Sequence, residues 1–165
     1  MICFLGLGSN LGDKQVNLQK AIVFIAEKIG IISAISSAYK TKPWEFHSDN
    51  SFLNQVVCVK TILTPFEILN ESQKIEKAIG REKKTENIFE DRIIDIDILL
   101  YENLIMETNE LKLPHPHLHN RLFVLQGLYE IAPHFIHPVI NKSISELYHN
   151  EKQKNNLQTD FLNYQ

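Results

Sequence analysis

Cysteine, arginine and tryptophan are all scarce in this chain. Its two cysteines, Cys3 and Cys58, each sit inside an apolar run, and no CxxC or Cys/His zinc spacing surrounds them. A small disulfide scaffold needs more, so both read as reduced core thiols of a cytosolic protein. No stretch approaches the ~18 apolar residues of a membrane span. The start, Met1-Ile2-Cys3-Phe4-Leu5, has no basic region before it, and Asn10 and Asp13 follow at once, unlike a signal peptide. The expectation is a soluble cytoplasmic protein without a membrane partner. Basic excess is missing too. With 17 Lys+Arg against 20 Asp+Glu the net charge is -3. Such a chain has no general field for nucleic acid, so a phosphate site must be a local cluster. There is no GxxxxGK[ST], which excludes a P-loop.

What is present is an ordinary globular balance: 165 residues, 44% hydrophobic and 22% charged. That is room for one domain with a real core. A single domain over residues 1–150 is expected, then a polar, loosely ordered tail over 151–165. No internal repeat is visible, and nothing demands more than a monomer.

Residues 2–8 are an apolar run ending in a glycine-rich turn, a buried strand by length. Asp13 suits a helix N-cap, and Leu18, Ala21, Ile22, Ile25 and Ile29 keep helical spacing up to Gly30. Residues 31–41 read as a strand, 43–51 as a loop, and Phe52 to Leu63 as a strand rich in Val and Thr. Thr64-Pro65-Phe66-Glu67 is a capping box opening a helix that ends at Gly80. Residues 81–91 are a charged loop, and 92–101 are the most strand-like stretch of all. A short extended piece at Leu111 to Pro114, a helix from Asn120 to Ile131 and a helical turn or two at Ile144 follow. The order β-α-β-β-α-β predicts an α+β fold, a ferredoxin-like sandwich with a mainly antiparallel sheet and helices on both faces.

The strongest local signal is Asp95-Ile96-Asp97 within a strand. Alternation points both carboxylates to one face and Ile94, Ile96 and Ile98 to the other. Two carboxylates ~7 Å apart repel unless a cation sits between them. Mg²⁺ takes such hard oxygen ligands together with phosphate oxygens. An exposed edge would tolerate the same pair, yet the flanking Ile and Leu favour a metal.

The three arginines, Arg81, Arg92 and Arg121, stand among fourteen lysines. They suit either a polyphosphate clamp or scattered surface salt bridges. His115, His117 and His119 alternate, but Pro114 and Pro116 break any regular strand, so a phosphate-facing His115 is favoured over zinc. His47, His134, His137 and His149 read as surface residues. Gly6-Leu7-Gly8-Ser9-Asn10-Leu11-Gly12 is one residue too long for the dinucleotide fingerprint, which favours a tight strand-to-helix turn. Trp44, Phe52, Asn54 and Phe123 are either core or a slot for a flat heteroaromatic, with rings on its faces and an amide at its edge.

Taken together these residues resemble the 6-hydroxymethyl-7,8-dihydropterin pyrophosphokinases of the folate pathway. The likeness runs from Met1 to about Pro138. It rests on Leu7-Gly8-Ser9-Asn10-Leu11-Gly12, Tyr39-Lys40-Thr41, Phe52-Leu53-Asn54-Gln55 and Gly80-Arg81. It continues through Asp91-Arg92-Ile93-Ile94-Asp95-Ile96-Asp97-Ile98-Leu99, Leu113-Pro114-His115 and Asn120-Arg121-Leu122-Phe123. The combination is specific where each piece alone is not.

The resemblance implies an enzyme that moves the β,γ-diphosphate of ATP, with two Mg²⁺ ions, to the pterin hydroxymethyl group and releases AMP. Asp95 and Asp97 then hold metal, and Arg81 and Arg92 join them in catalysis. Gln73, Glu76, Arg81, Arg92, Ile98, His115 and Arg121 bind ATP. Thr41, Pro43, Trp44, Phe52, Asn54, Asp95 and Phe123 form the pterin site. Metals and arginines spread over three segments come together only when ATP binds, so the expectation is that ATP binds first, with loops 43–51 and 81–91 mobile when empty. The rivals are a two-metal nucleotidyl transferase or cyclase, which needs no Asn54 between two rings, and a pterin- or nucleotide-binding module without activity.

Overall fold

A computed structural model describes residues 1–42, 48–81 and 91–162, with side chains through Asn155. The chain runs β1 (Ile2–Ser9), α1 (Lys14–Lys28), β2 (Ile31–Ile35), β3 (Tyr39–Thr41), β4 (Phe52–Lys60), α2 (Pro65–Ile79) and β5 (Asp95–Tyr101). Then come β6 (Met106–Glu107), β7 (Lys112–Leu113), a 3₁₀ turn at Leu118–Asn120, α3 (Leu122–Ile131) and α4 (Ile144–Leu162). The main sheet has the order β2-β4-β1-β5, with β3 also on β4, and every pairing is antiparallel. This is the expected ferredoxin-like arrangement, with β1 in the middle and β5 at an edge. β6 and β7 form a separate hairpin.

Helices cover both faces. Alternation along β1 sends Cys3, Leu5 and Leu7 to one core, where Leu18, Ala21 and Ile25 of α1 and Ile68 and Ile75 of α2 meet them. Phe4 faces the other way, towards Leu125 and Leu128 of α3 and Ile144 and Leu147 of α4. Both cysteines are free and buried, on opposite faces. Burial pushes the Cys3 thiol up to about 12.

Caps fix the helix ends as their sequences dictate. Asp13 accepts from the Val16 N–H, and Thr64 and Glu67 close a reciprocal capping box. Gly80 ends α2 at φ 113°, a conformation that suits glycine. Ser143 and Glu146 form a second reciprocal pair at the start of α4, which runs well past the predicted turn or two.

Three local expectations need correction. The predicted strand 31–41 is interrupted, because the Ser36 hydroxyl, rather than a backbone carbonyl, accepts the Val56 N–H. In the glycine-rich segment only Gly12, at φ 62°, serves the turn, while Gly6 and Gly8 lie inside β1. His137 is buried, not a surface residue: its backbone closes a tight loop with Asn141 and Lys142, and its ring faces inward.

Candidate active site

One face of the sheet does two jobs. Its lower half packs against α3 and α4, and its upper half is the floor of a cleft of about 300 Å³. Strand register sets the floor. Gly8 lies between Asn54 of β4 and Asp95 of β5, and Gly6 lies between Val56 and Asp97. A central strand with side chains there would fill the space. Instead two glycines leave it open, and a Cβ on Gly8 would come within 3.0 Å of the Asn54 Oδ1.

Asp95 and Asp97 share the cleft face as alternation requires, with Ile94, Ile96 and Ile98 buried opposite. At an effective dielectric of about 20, two carboxylates ~7 Å apart repel by roughly 2 kcal/mol. Arginine answers this repulsion. Arg81 Nη1 donates to Asp95 Oδ1 at 2.6 Å, and Arg92 Nη1 lies 3.4 Å from Oδ2. Arg121 Nη1 lies 3.6 Å from Asp97 Oδ2, and His115 Nε2 lies 3.9 Å from the same oxygen. The Asp97 side chain is 28% exposed against 16% for Asp95, so it is the more open of the two. The three arginines are therefore a cluster drawn from separate segments, not scattered surface charges.

Arg81 also donates to Glu76 Oε1 at 2.8 Å, and the Ile96 N–H at the open edge of β5 donates to that oxygen at 2.8 Å. Burial works against the Arg81 charge, but Asp95 and Glu76 outweigh it and hold its pKa above the usual value. Arg92 stacks over the Phe52 ring, 5.4 Å from its centroid, and its buried Nε has no hydrogen-bond partner among the described residues. His115 Nδ1 accepts the His117 N–H at 3.2 Å, so the neutral ring carries its proton on Nε2, towards Asp97. Burial pulls the His115 pKa down, against the pull of Asp97. No three His, Cys, Asp or Glu side chains gather as a metal cage among the described residues. His119 instead sits edge-on to His137, 6.3 Å between centroids.

The aromatic end of the cleft is lined by Thr41, Phe52, Asn54 and Phe123. Asn54 Nδ2 donates to Thr41 Oγ1 at 2.8 Å, which fixes the amide on the floor. The cleft thus collects Thr41, Phe52, Asn54, Arg92, Asp95, Asp97, His115, Arg121 and Phe123. Glu76, Arg81 and Ile98 gather instead around the outer strand β5, with the Ile98 side chain in the opposite core. Gln73 is exposed on α2. Pro43 and Trp44, most of the 43–51 loop and nearly all of the 81–91 loop lie outside the described residues.

Asn10 was legible as part of a motif but not as a site residue. It is 1% exposed. Its Oδ1 accepts the Arg92 N–H at 2.6 Å, its Nδ2 donates to Asp91 at 2.6 Å, and its own N–H donates to the Arg92 carbonyl at 3.1 Å. It therefore fixes the backbone that delivers Arg92 and Asp95. The signal was a buried-type Asn following a strand with no hydrophobic reason to be there.

Paired acids and converging arginines beside aromatic residues, on a ferredoxin-like sheet, suit the class of enzymes that transfer phosphoryl groups. A family model described as 7,8-dihydro-6-hydroxymethylpterin-pyrophosphokinase matches residues 4–133, and the chain belongs to that family, whose members are ATP-dependent diphosphotransferases. Relatives named 2-amino-4-hydroxy-6-hydroxymethyldihydropteridine pyrophosphokinase are similar. The one from Aquifex aeolicus is 43% identical over 143 residues, covering 87% of this chain and 88% of its own. That from Bacillus subtilis is 38% identical over 132 residues, covering 79% and 78%. Among solved structures, wild-type Plasmodium falciparum HPPK-DHPS with pteroate superposes with a TM-score of 0.75 at 19% identity, over 96% of this chain and 44% of that one. The chain thus spans less than half the length of these HPPK-DHPS proteins, whose fold it shares. No helix among the described residues is long and apolar enough to cross a membrane.

Proposed function

We propose that the protein transfers the β,γ-diphosphate of ATP to the hydroxymethyl oxygen of 6-hydroxymethyl-7,8-dihydropterin and releases AMP, as a cytoplasmic monomer supplying folate synthesis. The observation that carries this reading is the single cleft in which Asn54 and Asp95 flank Gly8 on one sheet face. Two strand spacings, about 10 Å, separate the amide from the acid. A flat ring lying between Phe52 and Phe123 with its edge at Asn54 points its substituent at the acid pair.

The donor set fits divalent metal. Asp95 and Asp97 present hard oxygens on one face, and the Arg92 Nε, without a hydrogen-bond partner among the described residues, is a donor suited to phosphate oxygen. Two Mg²⁺ ions held there with ATP would supply charge neutralisation on the transferring phosphates. The protein's own contribution is position. The hydroxymethyl oxygen attacks the β-phosphorus and loses its proton to solvent as the bond from that phosphorus to the α,β-bridging oxygen breaks, and AMP departs with that oxygen. Arg81, Arg92 and Arg121 exchange carboxylate partners for phosphate oxygens, and His115 donates from Nε2. Gln73 and Glu76 of α2 and the Ile98 backbone of β5 would meet the nucleoside, a reading supported by Glu76 reaching the edge of β5 through its bond from the Ile96 N–H. Thr41 lines the pterin end, and Pro43 and Trp44, outside the described residues, join the pterin site on the strength of the sequence resemblance alone. Asp95, between the two, touches both substrates.

A coupled assay for AMP release tests this. Release that requires the hydroxymethyl pterin is the expected result. ATP hydrolysis or cyclisation without pterin would assign the site to a nucleotidyl transferase or cyclase instead.

A further inference from the structure

Helix α3 carries Phe123 in its first turn and Glu130 in its last. Seven residues are two turns, so both side chains lie on one helix face. Phe123 is a wall of the cleft. Glu130 reaches the strand beneath: it accepts the Ser37 N–H at 2.8 Å, the Ser37 hydroxyl at 2.9 Å and the Tyr39 hydroxyl at 2.5 Å.

β3 needs such a hold. It is three residues long and is cut off from β2 by the break at Ser36. Its register places Tyr39 opposite Asn54 and Thr41 opposite Phe52, so all four share the cleft face. Thr41 in turn accepts the Asn54 amide. One carboxylate therefore joins the helix bearing one wall of the slot to the strand that orients the opposite wall.

We infer that Glu130 is a positioning residue that sets the gap between Phe123 and the Thr41–Asn54 pair, and hence the affinity for the flat heteroaromatic substrate. The inference rests on the pterin reading above. Glu130 touches neither the acid pair nor the arginines, so nucleotide binding should be indifferent to it.

The test compares Glu130→Ala, Glu130→Gln and Tyr39→Phe with wild type in steady-state kinetics and in amide hydrogen exchange without ligand. Glu130→Ala should raise KM for the pterin about tenfold, equivalent to one hydrogen-bonded charge. KM for ATP and kcat should stay within about twofold, a change too small to mark a lost contact. Glu130→Gln should recover part of the loss. Tyr39→Phe should raise the pterin KM roughly threefold and add nothing on top of Glu130→Ala, because the two act through one contact. Exchange at the Ser37 amide should accelerate in Glu130→Ala. A wild type with no pterin-dependent AMP release would sink the functional reading and this inference with it. An active wild type whose variants keep their pterin KM, or raise both KM values in proportion, would overturn this inference alone. If Glu130→Ala does not fold, Glu130→Gln and Tyr39→Phe decide by the same criteria.

Discussion

One nitrogen of Arg81 holds two acids at once, Asp95 at 2.6 Å and Glu76 at 2.8 Å, and so ties helix α2 to the edge strand. Among the described residues Asp97 has only longer ion-pair contacts, to Arg121 at 3.6 Å and His115 at 3.9 Å. The two acids of the pair are therefore not equivalent, although their spacing suggests that they are.

That asymmetry predicts a split between activity and stability. Asp97→Ala should lower kcat by roughly 10²–10³-fold or more, the scale of a lost electrostatic element. Its unfolding free energy should change by less than about 0.5 kcal/mol, since a repulsive partner goes and no packing is lost. Asp95→Ala should lose activity likewise and also cost about 2 kcal/mol, because it strips Arg81 of one buried partner. Urea unfolding monitored by circular dichroism checks both. An Asp97→Ala protein that fails to fold would mean the acid is structural.

His137 makes stability depend on pH. Its Nδ1 accepts the N–H groups of Val139 and Ile140, so the proton of the neutral ring is on Nε2, and that atom is buried with no hydrogen-bond partner among the described residues. Burial, with His119 adding to it, depresses the pKa. The unfolded chain therefore binds a proton at a higher pH than the folded one. The stabilisation is complete above the unfolded value of about 6.5 and is lost as pH falls from there through the folded value. The urea midpoint should drop between pH 7 and pH 5, and His137→Asn should flatten that drop. An unchanged slope in the variant would remove His137 as its source.

Much of this molecule was readable from its chain. The period-2 runs, the Thr64 box and the stop at Gly80 gave the βαββαβ order, because each is a local signal with a local cause. The acid pair was readable for the same reason, since alternation alone fixes which way Asp95 and Asp97 point. The pairing of Glu76 with Arg81 and Ile96 was not, because it depends on α2 lying against the free edge of β5. Nor was the burial of His137, which is made by a loop contact with Lys142 and Asn141 that no periodicity marks. The two strand glycines misled for a physical reason. Glycine usually signals a turn, and here it signals space above a sheet.

That space gives a prediction about binding. Gly8→Ala requires no unusual backbone angle, so the strand should form. The added methyl would stand 3.0 Å from the Asn54 Oδ1 and 3.8 Å from a Phe52 ring carbon, so the amide must shift. Pterin affinity, followed by fluorescence titration, should weaken about tenfold, as for the loss of one well-placed polar contact. A non-hydrolysable ATP analogue should bind as to wild type. Equal losses for both ligands would mean that the glycine serves the sheet and not the slot.

Asn10 supplies the remaining prediction. It is buried, and its amide and backbone make three hydrogen bonds to Asp91 and Arg92. Asp91 also accepts from Asn50 at 2.7 Å, so the same carboxylate joins the entry of β4 to the entry of β5. In Asn10→Ala the part-buried Arg92 N–H loses its acceptor, and an orphaned donor costs about 1–3 kcal/mol. The released backbone carries Arg92 and, three residues on, Asp95, so nucleotide affinity should fall along with stability. Asn10→Asp separates the two causes. It restores an acceptor for the Arg92 N–H but places a charge against Asp91, so it should fold better than Asn10→Ala at acid pH and worse at neutral pH. Thermal unfolding of both variants at pH 5 and pH 7.5 checks the crossing; parallel melting curves would show that Asn10 matters for its packing rather than for its hydrogen bonds.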